Sequence, residues 1–226
     1  MAALFCFAAS FLMTSLSPLQ VSCSDRDPLH DFCVADLHCP LLNNNDYSCK
    51  PYPNVTIDDF VFSGLLTPLD PSQSTSGAIA TPGDVNTFPG LHTQGFSFAQ
   101  LDFVERGLIS PHTHPRASEF VYILHGDLYA GFVDAGNRVF ARVYHAGEVM
   151  IFPRGLIHWQ LNVGRGRASA LAVLNSEKPG FQIISLSMFG SSIADEVLEK
   201  TFRLEAETVD RLVKFFTPIA EVVKGN

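Results

Sequence analysis

Residues 107–119 read Gly107-Leu-Ile-Ser-Pro-His112-Thr-His114-Pro-Arg-Ala-Ser-Glu119, and residues 147–162 read Gly147-Glu-Val-Met-Ile-Phe-Pro153-Arg-Gly155-Leu-Ile-His158-Trp-Gln-Leu-Asn162. In an extended chain alternate side chains share a face, so His112 and His114 project together and can share one ion. Pro115 bends the chain, and Glu119 opens the apolar run Phe120–Leu124. That run reads as the next strand, with the Glu119 carboxylate turned to the same interior. In the second stretch the Pro153-Arg-Gly155 turn delivers His158 onto a further strand. Together the two stretches read as facing strands of one small barrel.

Three imidazoles and one carboxylate suit manganese, iron or zinc better than calcium, which takes an all-oxygen shell. A structural zinc site would use thiolates. Four protein ligands on an octahedral ion leave positions open for water or substrate, as redox or Lewis-acid chemistry requires. A His-x-His pair alone carries little weight; the agreement of both stretches in spacing, turn chemistry and strand pattern is what selects His112, His114, Glu119 and His158. The other histidines, His30, His38, His92, His125 and His145, read as structural or solvent-facing.

Outward from these stretches, short apolar runs recur at Phe96–Phe103, Leu128–Val133, Val139–Tyr144, Val149–Phe152, Ile157–Leu161 and Ala168–Leu174. Turns fall between them at Gly126-Asp127, Asp134–Asn137, Ala146-Gly147 and Gly164–Gly166. Many short strands at such spacing make a sandwich or barrel, so the fold class is all-β. Residues 63–95, rich in Gly, Ser, Thr and Pro, read as a long ordered loop with one short strand near Ile79. Beyond the strands the period changes to that of helices, over about residues 192–217. Ser192 is placed to cap one helix with Asp195 three residues on, and Val209, Leu212, Val213 and Phe216 stripe a second that Pro218 is expected to stop. Such a stripe covers either a neighbouring subunit or the chain's own barrel.

Residues 1–24 carry no charge and are dominated at first by Ala, Leu and Phe, which reads as a secretory signal peptide cleaved near Ser24. Its apolar core is too short to span a bilayer, and no later stretch is apolar for long enough. The remaining residues 25–226 fit one large all-β domain and keep the net charge of −8. An acidic chain without a clustered basic patch is not a nucleic-acid binder. Cys6 and Cys23 fall in the leader, leaving Cys33, Cys39 and Cys49 for an oxidising compartment. Asn54-Val-Thr56 is an N-glycosylation sequon in a turn-rich segment, occupied or bare.

Residues 107–126 resemble the first motif of the cupins, and residues 147–162 match the second, Gly-x5-Pro-x-Gly-x2-His-x3-Asn, at every position. "PHTHPRASE" and "FPRGLIHWQLNVG" are similar to the plant germins and germin-like proteins, as is the opening Asp31-Phe-Cys-Val-Ala-Asp36. The resemblance runs over essentially all of residues 25–226. It implies a cupin jelly-roll β-barrel that binds Mn(II) through His112, His114, Glu119 and His158, with no catalytic residue beyond these ligands. It further implies an N-terminal arm pinned by a Cys33–Cys49 bridge, a closure worth roughly 3 kcal/mol by loop entropy. Cys39 is then a buried free thiol, an alternative bridging partner or an intermolecular one. The C-terminal helical extension would clasp neighbours into a homohexamer, a trimer of dimers, and the location would be the apoplast or cell wall, in defence or stress. One departure is visible: the first motif usually begins with two glycines, and the first is here Arg106. Altered loop packing and an intact site are expected from it.

Three functions are compatible with that resemblance: manganese superoxide dismutase, oxalate oxidase, and a non-enzymatic cell-wall binding or receptor-like protein of the auxin-binding type. Oxalate-oxidising germins present asparagines about thirteen and three residues before the first ligand histidine, where this chain has Ala99 and Ile109. An apolar Ile109 would leave carboxylate oxygens unpaired. Superoxide needs no such anchors, so superoxide dismutation without oxalate oxidation is the expectation.

Overall fold

The computed structural model of the chain describes residues 31–38 and 47–224. The expected signal peptide and the unsettled partner of Cys39 lie outside the described residues, as do Cys6, Cys23 and His30.

Among the described residues ten strands follow in chain order: β1 (Ala78–Gly83), β2 (Ser97–Phe103), β3 (Leu108–Thr113), β4 (Glu119–His125), β5 (Asp127–Val133), β6 (Val139–His145), β7 (Val149–Phe152), β8 (Ile157–Asn162), β9 (Ala168–Leu174) and β10 (Gln182–Ile183). They form two five-stranded antiparallel sheets, ordered β1-β2-β9-β4-β7 and β10-β3-β8-β5-β6. This is the jelly-roll arrangement that the sequence motifs imply. Apart from the hairpins β1–β2 and β5–β6, every connection between consecutive strands crosses from one sheet to the other, so most neighbours in sequence face each other across the interior.

Alternation does the sorting. In β4, Glu119, Val121 and Ile123 are buried while Phe120, Tyr122 and Leu124 face outward. In β9, Ala168, Ala170, Ala172 and Leu174 turn inward. The three alanine methyls take up little of the interior, and Phe103, Ile123, Leu128, Met150 and Phe152 fill much of the rest of the core. Burying each such large side chain contributes roughly 1.5–3 kcal/mol.

The N-terminal arm lies against this barrel. Cys33 and Cys49 form a disulfide, and between them Ala35 and Cys49 pair as an isolated bridge. The amide of Ala35 donates to Pro89 O, and Lys50 pairs with Asp59, so the arm is tied by more than its sulfurs.

Three helices follow the strands: α1 (Ile184–Phe189), α2 (Asp195–Phe202) and α3 (Ala206–Lys224). The helix boundaries differ from those expected of the sequence at two places. Ser192 does not cap α2; the N-cap is Ala194, with no side-chain bond. Nor does Pro218 stop α3, which continues to Lys224. A proline inside a helix forfeits one hydrogen bond and crowds the preceding turn. Continuation is compensated by packing past that point, where Ala220 is buried against Gly190, at the end of α1. The stripe beginning at Val209 packs on α1 and α2 in the same chain, with Phe216 and Phe202 against Phe189. Val197, Phe202, Phe215 and Ile219 remain exposed. No helix among the described residues is long and apolar enough to cross a membrane.

Candidate metal centre

The Arg106-Gly107 corner opens the site. Arg106 has φ +65°, the left-handed conformation that glycine adopts without cost. The departure from a double glycine therefore leaves the turn's shape intact. Gly107 cannot be replaced in the same way, because a Cβ there would lie 2.1 Å from Gly77 O. At the far end of β8, Asn162 fastens the same corner: its amide donates to Val104 O and Gly166 O, while its carbonyl accepts from Gly164 N. The last residue of the second sequence motif thus holds the entry to the first.

From this corner β3 runs to His112, directly across from His158 on β8. His114 lies just beyond β3, where its carbonyl accepts from the amide of Gly155 in the Pro-Arg-Gly turn. Glu119 is the first residue of β4 and pairs with Phe152 and Leu174. The four side chains come from β3, the turn after it, β4 and β8, and all four are buried. Their potential ligand atoms all lie within 4.8 Å of one another.

The imidazoles are oriented by backbone. Nδ1–H of His112 donates to Ser110 O at 2.8 Å, that of His158 to Leu156 O at 2.8 Å, and that of His114 to Gly180 O. The first two use the carbonyl two residues earlier. With Nδ1 carrying the proton, each neutral ring presents its Nε2 lone pair as a ligand atom. Glu119 Oε2 lies 2.8 Å from His158 Nε2 and 3.5 Å from His114 Nε2. A lone pair aimed at a carboxylate is repulsive, so this arrangement calls for a cation between them, either a proton or a metal ion. Donors held at ~2.1 Å around one ion lie up to roughly 4.2 Å apart, close to the spacing seen. The residues fit a metal.

Charge balance agrees. Burial, reinforced by the neighbouring His158, pushes the His112 imidazole down to about 3, so this ring is neutral at ordinary pH. Burial alone would raise the Glu119 carboxyl; with a proton shared toward His114 and His158, hydrogen bonds and then charge hold it at about 2, and a metal cation between the groups would take over that role. A neutral imidazole and an ionised carboxylate are the protonation states a divalent ion requires.

Aromatic rings enclose the cluster. Phe152, fully buried, stacks on His158 at 4.4 Å between centroids, and Phe181, 51% exposed, lies 4.7 Å from His112 and 5.8 Å from His114. Two residues beyond His158 on the same face of β8, Gln160 is fully buried and neither of its amide atoms has a hydrogen-bond partner. Sequence reading did not single out Gln160, although alternation from His158 would have found it. Nothing in the sequence pointed to Phe181.

The other sequence-selected residues behave as bystanders. His92 is buried between Glu177 and Tyr47 O, His145 pairs with Asp127 on the surface, and His38 and His125 are exposed. Asn54 is exposed in a short 3-10 turn, Tyr52–Asn54.

A double-sheet jelly roll with three inward imidazoles and a carboxylate at one end defines a cupin, and residues 63–210 match the cupin family. The chain is 42% identical over 214 residues to germin-like protein 2-4 of Oryza sativa subsp. japonica, spanning 92% of each chain. It is 40% identical over 214 residues to oxalate oxidase GF-2.8 of Triticum aestivum, spanning 92% of this chain and 95% of that one. A solved structure of oxalate oxidase superposes with a TM-score of 0.82 at 39% identity, covering 86% of this chain and 99% of the other. The chain belongs to the germin-like proteins of the cupin family.

Proposed function

We propose that this chain is a secreted germin-like protein that holds Mn(II) through His112, His114, Glu119 and His158 and dismutates superoxide without oxidising oxalate. When bound, manganese supplies one-electron redox chemistry at a centre with coordination positions left for a small ligand. The protein's own part is to keep three Nε2 lone pairs and one carboxylate aimed at a single point. The Nδ1 bonds to Ser110, Gly180 and Leu156 carbonyls fix the tautomers. A small anion at such a centre would be steadied by a neutral hydrogen-bond donor beside it. The unpartnered amide of Gln160, next along the His158 face, is suited to that role.

The observation that carries the reading is the apolar pair Ala99 and Ile109. Ile109, opposite Gln160, is buried and offers no hydrogen bond to a second carboxylate. A dicarboxylate would leave charged oxygens unpaired there, at roughly 1–3 kcal/mol or more for each. A diatomic anion has no such requirement. Relatives named as oxalate oxidases keep oxidation of oxalate as the competing reading.

Superoxide and oxalate assays on one manganese-loaded sample decide between the two. Superoxide dismutation with no hydrogen peroxide released from oxalate is the expected result. Peroxide from oxalate would overturn it. Inactivity in both, in a fully metallated sample, would favour a non-enzymatic binding protein.

A signal peptide over residues 1–24, a cupin domain over 25–226, an N-glycan on exposed Asn54 and the Cys33–Cys49 bridge suit the extracellular space of the cell wall. The exposed Val197, Phe202, Phe215 and Ile219 suit a homohexamer assembled through the helical extension.

A further inference from the structure

Phe181 is a large apolar side chain, half in solvent, set against two of the four residues of the metal centre. His112 and His114 themselves are only 2% and 7% exposed. On the opposite side His158 rests on Phe152, which is 1% exposed and part of the core. The imidazoles therefore lie between a buried phenyl floor and a phenyl ring that faces water.

The backbone that carries Phe181 is held on both sides. Before it, the carbonyl of Lys178 accepts from Arg116 Nε, that of Pro179 from Arg116 N, and that of Gly180 from His114 Nδ1. After it, Gln182 and Ile183 pair with Thr113 and His112 as β10. Gly180 has φ +73°, and a Cβ there would meet Pro115 and Arg116 at 3.1 Å, so the turn into Phe181 is built for glycine. The ring is thus fixed at its root over His112 and His114, while its exposed half is unconstrained by packing.

We infer that Phe181 is a specificity-determining residue of this site: its ring screens His112 and His114 from solvent and admits small anions while excluding larger ones. This rests on the proposed metal centre and adds a cause for selectivity at the rim, separate from the apolar Ile109 deeper in the barrel. A diatomic or triatomic anion passes beside the ring. A planar dicarboxylate has to displace it, exposing apolar surface that the imidazoles now cover.

The test compares wild type with Phe181→Ala and Phe181→Leu by two readouts. In metal-free protein, peptide mapping follows acylation of His112 and His114 by diethyl pyrocarbonate, with exposed His38 and His125 as internal controls. In manganese-loaded protein, calorimetry compares azide with oxalate. The alanine variant is expected to acylate at His112 and His114 faster by about tenfold, with the controls unchanged. It should also gain oxalate affinity by about tenfold, with azide affinity held within about twofold. Leucine should fall between. Unchanged acylation at both histidines, or oxalate and azide affinities that shift together, would overturn the inference. Failure of the wild type to take up manganese would count against the proposed metal centre alone, because acylation judges the screen without metal.

Discussion

Ile109 on β3 stands directly across from Gln160 on β8, and both side chains are buried, so the Gln160 amide faces a hydrocarbon neighbour and has no hydrogen-bond partner. A buried amide left unpaired costs roughly 1–3 kcal/mol. Positions that lower stability in this way are expected where a site needs them.

Gln160→Leu removes the amide at nearly constant volume. The metal-free variant should gain about 1–3 kcal/mol in urea unfolding, since an unsatisfied group has been replaced by an apolar one. Superoxide turnover of the manganese-loaded variant should fall by about tenfold, because the hydrogen bond the amide would offer the small anion is lost. A less stable variant with full activity would contradict both the orphaned state and the role.

Arg106→Gly should stabilise the protein. The left-handed backbone at φ +65° costs a non-glycine residue ~1–2 kcal/mol, and glycine's greater freedom when unfolded returns part of that. A net gain of about 0.5–1 kcal/mol in the urea midpoint, with unchanged metal content, is expected. Gly107→Ala, one residue on, should destabilise strongly through its contact with Gly77 O. Equal effects at the two positions would show that the corner is not shaped as described.

Breaking the Cys33–Cys49 bridge by a Cys33→Ser, Cys49→Ser pair should cost about 3 kcal/mol, following loop-closure entropy for the 16-residue separation. Non-reducing peptide mapping of the wild type should recover a Cys33–Cys49 peptide. A dominant Cys33–Cys39 peptide would contradict the bridge.

On the surface, hydrogen bonds from Arg142, then from the His145 amide, hold the Glu148 carboxyl down at about 2. A depressed carboxyl adds stability that is fully present above its unfolded pKa, ~4.3, and is lost as pH falls toward the folded value. Wild type should therefore melt above Glu148→Gln at pH 6, with the gap closing between about pH 4.5 and pH 2. A gap independent of pH across that window would assign the effect to packing instead.

Much of this was legible because alternation and turn residues agree along the chain. Strands Val149–Phe152 and Ala168–Leu174 fall on the observed β7 and β9 residue for residue, each bounded by a glycine-containing turn. The four-residue cluster was legible for the same reason, since His112, Glu119 and His158 take the faces their strand periodicity gives them. What escaped depended on long-range contact. The two-residue β10 carries no periodic signal and exists through its pairing with β3. Helix α1, the passage of α3 through Pro218, and the ring of Phe181 over His112 likewise reflect packing partners far away in sequence.

His112, His114, Glu119 and His158 are proposed to form one manganese site. Metal analysis of purified wild type beside His112→Ala/His114→Ala tests it most directly. About one manganese per chain is expected in the wild type and almost none in the double variant, which should remain folded around the disulfide and the jelly-roll core. Full manganese occupancy in that folded double variant would contradict it.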